Sequence, residues 1–250
     1  MEVHILASGS DGNCAVIRHE DRAIMVDAGL SAKRIISLMN LNGLDPKEIE
    51  CILITHEHSD HVSGGGPVAR KLDCPVMCNQ QTFDACNIGK VEHIPIDPLN
   101  TFSAAGISVM PLPTSHNAVN PVSYMFKVGG KTAVIATDTG CVTFPIEQAL
   151  MEADVAVLES NYDRRMLHEG PYPYNLKKLI DSDHGHLSNV MCADILKKTD
   201  HEGRQVFLAH LSKTNNTPDV ARDTVSELTG MRRFRLDCLE FPGDTRVIKI

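Results

Sequence analysis

The segment Thr55–His61, with the sequence THEHSDH, constrains this chain more than any other feature. It places three imidazoles and the Asp60 carboxylate within six residues, directly after the apolar run Cys51–Ile54. The apolar run predicts a short buried strand. Imidazole nitrogens and carboxylate oxygens are ligands that suit zinc, iron or manganese. A solvated His-rich loop would account for the composition, but the spacing H-x-H-x-D-H favours a metal site fixed by the end of a strand.

Three later residues of types that can bind metal each follow a predicted strand. They are His116 after residues 107–112, Asp138 after 132–137 and His210 after 205–209. A lone His in such a place is more often a surface or core residue, and Asp138 could begin an ordinary turn. The segment at 55–61 makes metal binding the favoured interpretation of the two histidines.

Short apolar runs alternate with helical patterns along the chain, which favours two packed sheets with helices outside them. The order of elements suggests two halves, roughly 1–118 and 119–250. Between the predicted strands 122–128 and 132–136, the dipeptide Gly129-Gly130 predicts a hairpin.

Several other segments have a predicted structure that bears on the site. Residues 62–72 are predicted to start a helix behind the metal loop, despite Gly64–Gly66. Glycines are costly inside a helix, and these suit a loop whose backbone passes close to the metals. The stretch Ser8–Asn13 contains two glycines and fits a tight turn between strands better than a phosphate-binding loop. Strands at 234–241 and 246–250 are predicted to end the chain.

Together, these features resemble the metallo-β-lactamase superfamily, and within it the YycJ/WalJ group. The blocks that carry the resemblance to that group are residues 4–14, 26–31, 159–163, 185–189 and 209–216. The resemblance therefore covers nearly the whole chain. It implies an α/β fold of the αββα type, a four-layer sandwich with the metals at one edge between the sheets. A chain of 250 residues allows one domain with a large core, and we expect a single domain over 1–250.

The resemblance also implies a site for two divalent metal ions, which would be zinc, manganese or iron. The implied ligands are His56, His58 and His116 for one ion, Asp60, His61 and His210 for the other, and Asp138 as a bridge. Residues two apart on an extended segment point the same way, which agrees with His56 and His58 sharing an ion. Each ion would keep an open coordination position, as catalytic sites do. Asp27 is expected to be structural, with its carboxylate orienting His56 or a neighbour.

A further histidine is a candidate general acid. Phosphodiesterases of the superfamily often carry a non-ligand His beside a Glu, and His186 and Glu159 match those positions. An imidazolium held by a carboxylate can protonate a leaving alkoxide near neutral pH. His184 is a rival for this role, and residues 185–188 could also be a helix start capped by Ser188. The residues expected to act in catalysis are Asp60, His186 and Glu159.

These features predict a dinuclear metal-dependent hydrolase, a phosphodiesterase or nuclease with DNA exonuclease-like action. Its partner would be nucleic acid or a small phosphodiester substrate. Residues 160–185 are too few for the long insertion with which β-CASP nucleases grip polymer, so we expect ends, flaps or short substrates. A thioester or lactone hydrolase of the glyoxalase type, for which His186 would be dispensable, is one alternative. A non-catalytic metal-binding regulator is another, and DNA versus RNA, metal identity and oligomeric state stay open.

Composition sets the remaining bounds. The net charge of −8 argues against a broad basic surface for nucleic acid, although bound dications would add local positive charge. No stretch approaches the ~18 apolar residues of a membrane span, and the start MEVH lacks signal-peptide features. We therefore expect a cytoplasmic protein without membrane association. The eight cysteines show no C-x-x-C pairing and predict reduced thiols.

Some polar side chains have two open interpretations. The basic residues that could contact phosphates, but by default form a solvated surface, are Arg164, Arg165, Lys177, Lys178 and Lys213. Asn215 and Asn216 follow the candidate ligand His210, and they could bind substrate or brace the loop.

Overall fold

The apolar runs form two seven-stranded mixed sheets in the computed structural model, which describes residues 1–241 and 243–250. The strands are β1 (Glu2–Ala7), β2 (Cys14–His19), β3 (Arg22–Val26), β4 (Ile49–Leu53), β5 (Val76–Cys78), β6 (His93–Pro95), β7 (Phe102–Ala104), β8 (Ile107–Pro113), β9 (Val122–Val128), β10 (Lys131–Ala136), β11 (Val155–Glu159), β12 (Gln205–Ala209), β13 (Leu236–Asp237) and β14 (Arg246–Lys249). The order in the first sheet is β14-β1-β2-β3-β4-β5-β6, and in the second it is β13-β12-β11-β10-β9-β8-β7.

The described residues form nine α-helices. They are α1 (Ala32–Leu41), α2 (Ser59–Val62), α3 (Gly65–Leu72), α4 (Gln80–Ala85), α5 (Phe144–Glu152), α6 (Arg164–Glu169), α7 (Tyr174–Ile180), α8 (Asn189–Thr199) and α9 (Pro218–Thr229). Buried residues of α1 and α3 pack on the first sheet, and those of α5, α8 and α9 pack on the second. None of the helices in the described part of the chain has the length and hydrophobicity needed to cross a bilayer.

The main core lies between the two sheets, and the period of two along each strand explains it. On β11, Val155 and Val157 belong to the cluster between the sheets, whereas Ala156 and Leu158 belong to the cluster under the helices. Strands buried on both faces read as continuous apolar runs, which is why β4 and β11 stand out in the sequence. The predicted αββα sandwich is therefore confirmed, while a single domain over 1–250 stays a prediction.

The prediction of two halves divided near residue 118 is wrong. The second sheet already begins with β7 and β8, because β8 pairs antiparallel with β9 from Ser108 to Pro113. The first sheet receives β14 from the end of the chain, and the Met1 amino group donates to the Ile250 carbonyl at 2.9 Å. Strand pairing, rather than position along the chain, decides which sheet a strand joins.

The predicted hairpin is confirmed, whereas one predicted strand near the end of the chain is not. Strand β9 has the predicted bounds, and Gly129 and Gly130 both have positive φ in the hairpin before β10. The predicted strand 234–241 is largely wrong, since a 3₁₀ turn at Arg233–Arg235 is followed by strand pairing at Leu236–Asp237 alone. The Asp237 side chain then accepts from the Cys238 N–H at 2.8 Å, which competes with a longer ladder.

Gly64 and Gly66 are explained by close packing of backbone rather than by the metals. Gly65 and Gly66 lie in the first turn of α3. A Cβ on Gly64 would lie 1.9 Å from the Leu30 carbonyl oxygen, and one on Gly66 would lie 1.8 Å from that of Ile88. The helix thus tolerates glycine because two other segments approach it too closely for a side chain.

Candidate metal centre

The segment Thr55–His61 leaves the end of β4 and turns into α2 at one edge of the sandwich. β4 pairs in parallel with β3 on one side and β5 on the other, so the segment starts from a fixed point. His56 and His61 are buried, and His58 is partly exposed. A rigid strand therefore delivers the imidazoles to one place, as the sequence predicts.

His56, His58 and His116 form one cluster of imidazoles, here called the first triad. Each offers a ring nitrogen, and these nitrogens lie within 4.8 Å of one another. The His58 Nδ1 to His116 Nε2 distance is 3.3 Å. Segments more than fifty residues apart thus converge, because the loop after β8 lies over the loop after β4.

Asp60, His61 and His210 form a second cluster, here called the second triad. The Asp60 Oδ2 atom lies 3.5 Å from His61 Nε2 and 3.6 Å from His210 Nε2. His210 follows β12 directly, as the sequence predicts. The second triad combines two nitrogens with one carboxylate.

Asp138 lies between the two triads. Its Oδ2 atom is 3.1 Å from His61 Nε2 in the second triad, and its Oδ1 atom is 3.7 Å from His116 Nε2 in the first. The carboxylate is buried. It occupies the place from which one side chain can serve two ions.

Three residues of the centre have left-handed backbone. Asp27, Asp138 and His210 have φ values of 57°, 54° and 54°, and each lies just after a strand. Such conformations are uncommon outside glycine and cost about 1–3 kcal/mol each. The surrounding structure holds all three in it, as is typical of functional sites.

Three buried atoms of the centre test whether the residues fit metal ions. His56 Nε2, His210 Nε2 and Asp138 Oδ2 have no hydrogen-bond partner within the described part of the chain. Buried polar atoms are nearly always hydrogen-bonded, so atoms without a partner need an explanation. These atoms come from the first triad, the second triad and the residue between them. Cations held by nitrogen and oxygen donors would satisfy all three, so the donor set fits metal ions.

Residues behind the triads fix the imidazole rings. The Asp27 Oδ2 atom lies 2.8 Å from His61 Nδ1, so Asp27 orients His61 rather than His56. Thr55 Oγ1 lies 3.0 Å from His56 Nδ1 and also donates to Asp27. In the first triad, His116 Nδ1 lies 2.9 Å from the Gly185 carbonyl oxygen.

Three further contacts involve residues that sequence reasoning missed. The segment Ser8–Asn13 is the predicted turn between β1 and β2, and it also touches the second triad. Ser8 Oγ accepts from the His210 N–H at 2.7 Å, and Asn13 Nδ2 lies 3.4 Å from Asp60 Oδ2. Asn161 Nδ2 donates to the His210 carbonyl at 2.7 Å. The available signal was that these residues lie in the blocks that carry the family resemblance.

Glu159 connects the second triad to His186. Its Oε1 atom lies 2.7 Å from His186 Nδ1 and 3.0 Å from His210 Nδ1. Its Oε2 atom accepts from the Thr139 and Leu187 N–H groups at 2.8 Å and 3.2 Å. The carboxylate is fully buried, and these contacts offset the cost of burying its charge.

The environment separates His186 from its rival His184. Burial opposes charge on His186, but the Glu159 carboxylate outweighs burial and raises the pKa of His186. Burial likewise opposes charge on Glu159, yet the adjacent His186 holds the pKa of Glu159 below its ordinary value. His184 Nδ1 instead lies 3.1 Å from Ser115 Oγ. The geometry therefore gives His186 the carboxylate partner that a general acid needs.

The triads have opposite electrostatic character. Burial lowers the pKa of His56 and of His116, so both imidazoles are neutral near pH 7. Burial would do the same to His61 and His210, but neighbouring carboxylates, Asp138 first among them, raise both pKa values. The pKa of His210 rises to about 10.

A cleft of about 260 Å³ opens onto the centre. Its polar lining includes His58, Asp60, Asp138, His186 and His210, and α7 contributes an apolar wall. Five of the predicted ligands line this cleft together with His186, while His56, His61 and Glu159 are buried and contact the lining residues.

The structure also shows the surroundings of other polar residues that the sequence analysis left with two interpretations. Asn216 is buried and donates to the Ser160 and Asn161 carbonyls at 2.8 Å and 3.1 Å, so it braces the loop. Lys213 forms an ion pair with Asp11. All eight cysteines lie in the described residues and are free, as predicted.

The sequence profile of the metallo-β-lactamase superfamily matches residues 7–184. The chain therefore belongs to the metallo-β-lactamase superfamily of hydrolases. It is 37% identical to exodeoxyribonuclease YycJ of Bacillus anthracis, with 92% of this chain and 89% of that protein covered. It is 38% identical to exodeoxyribonuclease WalJ of Streptococcus pneumoniae serotype 2, with 88% and 85% covered. Within the superfamily, these identities assign the chain to the YycJ/WalJ-like group.

A solved structure supports the fold. The metallo-β-lactamase fold protein YhfI from Bacillus subtilis matches with a TM-score of 0.75 and 98% of each chain covered. The sequence identity is 16%, so this likeness concerns the architecture alone.

Proposed function

We propose that this protein is a dinuclear metal-dependent phosphodiesterase that removes nucleotides from the ends of DNA. The observation that carries the proposal is the Glu159–His186 pair, which lies at the cleft beside both triads with an Oε1 to Nδ1 distance of 2.7 Å. A departing alkoxide needs a proton, and this pair can supply one. Both bacterial relatives are named exodeoxyribonucleases, which supports DNA as the substrate.

In this proposal, the first triad would hold one divalent ion and the second triad the other, and Asp138 between them could contribute to both. The buried atoms without hydrogen-bond partners support this assignment. Bound divalent ions lower the pKa of water and neutralise the charge that develops on phosphate. Zinc, manganese and iron all suit imidazole and carboxylate ligands.

The side chains of the chain have separate tasks. Glu159 accepts the Nδ1 hydrogen of His186, which leaves Nε2 directed toward the substrate. Protonated His186 then gives its Nε2 proton to the oxygen of the departing nucleotide. Asp60 would be a ligand of the ion held by the second triad. Cytoplasmic action belongs to the proposal and is supported by the free thiols, which suit a reducing compartment.

The test compares His186→Ala with the matched control His184→Ala in the metal-loaded protein. His186→Ala is expected to keep its metal content and to lose about 10²–10⁴-fold in turnover of end-labelled DNA, the usual contribution of a general acid. A phosphodiester with a p-nitrophenolate leaving group needs no proton, so its hydrolysis by His186→Ala should fall much less. Normal turnover of DNA by His186→Ala would show that the acid assignment is wrong.

A thioester or lactone hydrolase of the glyoxalase type stays the alternative. A departing thiolate needs no proton, so the Glu159–His186 pair would have no role in that reaction. Hydrolysis of thioesters but not of phosphodiesters by the metal-loaded protein would favour it. Failure to hydrolyse either would favour a non-catalytic metal-binding regulator.

A further inference from the structure

Helix α7 presents an apolar face to the metal cleft. Leu176, Leu179 and Ile180 all line the cleft, and their spacing of three and four residues places them on one side of the helix. Leu176 is 40% exposed and Leu179 is 44% exposed, although both lie beside buried charged groups. Large apolar side chains left open at a polar site are typical of a contact surface for a ligand.

A second face of α7 carries one aromatic and two cationic side chains. Tyr174, Lys177 and Lys178 line a neighbouring cavity of about 320 Å³. Tyr174 is 75% exposed, so its ring is available for stacking. Among residues 1–241 and 243–250, Lys178 forms no ion pair, and Lys177 Nζ donates to the His168 carbonyl at 2.7 Å rather than to a carboxylate.

One carboxylate in this cavity is already engaged. Asp181 accepts from the Tyr162 hydroxyl at 2.5 Å through Oδ1, and its Oδ2 atom lies 3.4 Å from His168 Nε2. The cavity therefore offers two lysines whose charge Asp181 offsets only in part. On a chain with a net charge of −8, this basic patch beside the metal cleft is a local exception.

The end of α7 is fixed relative to the groups that would react with substrate. The His186 N–H donates to the Ile180 carbonyl at 3.0 Å, and the Gly185 carbonyl lies 2.9 Å from His116 Nδ1. A Cβ on Gly185 would lie 2.1 Å from the Leu179 carbonyl oxygen, so the segment after α7 packs directly against it. A molecule bound on α7 is thus held at a defined distance from both His186 and the first triad.

We propose that α7 binds the unpaired terminal nucleotides of the DNA substrate, an inference that rests on the phosphodiesterase function proposed above. The leucines contact the nucleoside at the scissile phosphate, Tyr174 stacks on the next base, and Lys177 and Lys178 bind the following phosphates. Aromatic stacking combined with cationic side chains is how proteins hold single strands. The seven residues of α7 span ~10 Å, the length of a short run of nucleotides. Bases must be unpaired for their faces to reach these side chains.

The test measures binding of a short fluorescein-labelled single-stranded oligonucleotide to the metal-loaded protein by anisotropy. The variants are Tyr174→Ala, with Tyr174→Phe as the form that keeps the ring, and the pair Lys177→Gln/Lys178→Gln. The matched control is Lys197→Gln/Lys198→Gln, which removes the same charge from exposed positions on α8. A blunt duplex of the same length serves as the comparison ligand.

We expect Tyr174→Ala to weaken single-strand binding about tenfold, and Tyr174→Phe to restore it. The α7 lysine pair should weaken binding and reduce the slope of log affinity against log salt by about 1.4, which is ~0.7 for each phosphate that a lysine no longer neutralises. In turnover, both changes should raise KM for an oligonucleotide more than they lower kcat. Variants of α7 that bind single strands as the wild type does, or an equal loss in the α8 control, would overturn the proposal.

The outcome separates this inference from the proposed function. If the wild type binds single strands through α7 but hydrolyses no DNA, the binding surface stands and the phosphodiesterase assignment fails. If DNA is hydrolysed but the α7 variants bind single strands normally, the phosphodiesterase assignment stands and the binding surface on α7 fails.

Discussion

The two triads of the metal centre differ in the groups that orient them. The first triad consists of imidazoles alone, and it is held by neutral groups. Thr55 Oγ1 lies 3.0 Å from His56 Nδ1, and the Gly185 carbonyl lies 2.9 Å from His116 Nδ1. Within the described residues, no carboxylate behind the first triad contacts these two Nδ1 atoms.

The second triad is surrounded by carboxylates. It contains Asp60, and both of its imidazoles are held by an acid from behind. Asp27 Oδ2 lies 2.8 Å from His61 Nδ1, and Glu159 Oε1 lies 3.0 Å from His210 Nδ1. A carboxylate behind a ligating histidine fixes its tautomer and raises its basicity. The difference indicates that the second triad is the proposed metal position with the higher affinity, and that an ion in the first triad exchanges more readily.

Asp138 tests whether the two triads bind ions independently, because it lies between them. Asp138→Asn keeps the shape but removes the charge, and we expect DNA hydrolysis to fall by about 10³-fold or more, since metal-ion stabilisation of charge contributes several kcal/mol. Metal content, measured by elemental analysis, should fall as well. The control is Asp194→Asn on the exposed side of α8. A variant that keeps two ions and normal turnover would mean that the triads bind ions independently.

In the metal-free protein, the imidazoles of the two triads differ in protonation. His56 and His116 have lowered pKa values and are neutral at pH 7. His61 and His210 have raised pKa values and are positively charged, with a proton on both ring nitrogens. An ion that enters the second triad must displace those protons, so its affinity should rise with pH, about tenfold per pH unit for each proton. Affinity at the first triad should stay flat above pH 7. Calorimetry of metal binding in two buffers with different ionisation enthalpies counts the protons; equal release at both positions would contradict this.

Asp27 tests whether the carboxylates behind the second triad strengthen it. Asp27→Asn should weaken the ion of the second triad by about 10–100-fold, the usual effect of losing such a partner, and leave the first nearly unchanged. Competition with a chelator, followed by metal analysis at increasing chelator concentration, measures the two affinities separately. If both ions weaken equally, the contact between Thr55 and Asp27 transmits the change to His56, and the two positions are not independent.

The part of the centre that the sequence reveals is the part that is local. His56, His58, Asp60 and His61 share one short turn, so their spacing shows that they lie together. Apolar runs predict the ends of β8, β10 and β12, and the order of ligands in the family then suggests His116, Asp138 and His210. The structure brings all seven side chains together, while their roles as ligands stay a prediction.

What the sequence does not reveal depends on contacts between distant segments. Ser8 meets His210 across 202 positions, and no local pattern specifies such a contact. The return of β14 to the first sheet is of the same kind. Helices α4 and α6 escape prediction because six residues are too few to show a helical period. The two faces of α7 can be assigned to a ligand only from the positions of the cleft and the neighbouring cavity.

Gly185 provides the mildest test, on the side of the first triad. The carbonyl that holds His116 belongs to a glycine with no room for a side chain, since a Cβ would lie 2.1 Å from the Leu179 oxygen. Gly185→Ala must therefore displace this segment, and the ion of the first triad should weaken by less than about tenfold, at the low end of effects from outer partners. The ion of the second triad should lose less affinity, because Asp27 and Glu159 contact its imidazoles directly and Asp27 makes no contact with the Gly185 segment. Chelator competition on this variant beside Asp27→Asn would then show opposite patterns of metal loss, and a loss from the second triad in both variants would remove the distinction between the two positions.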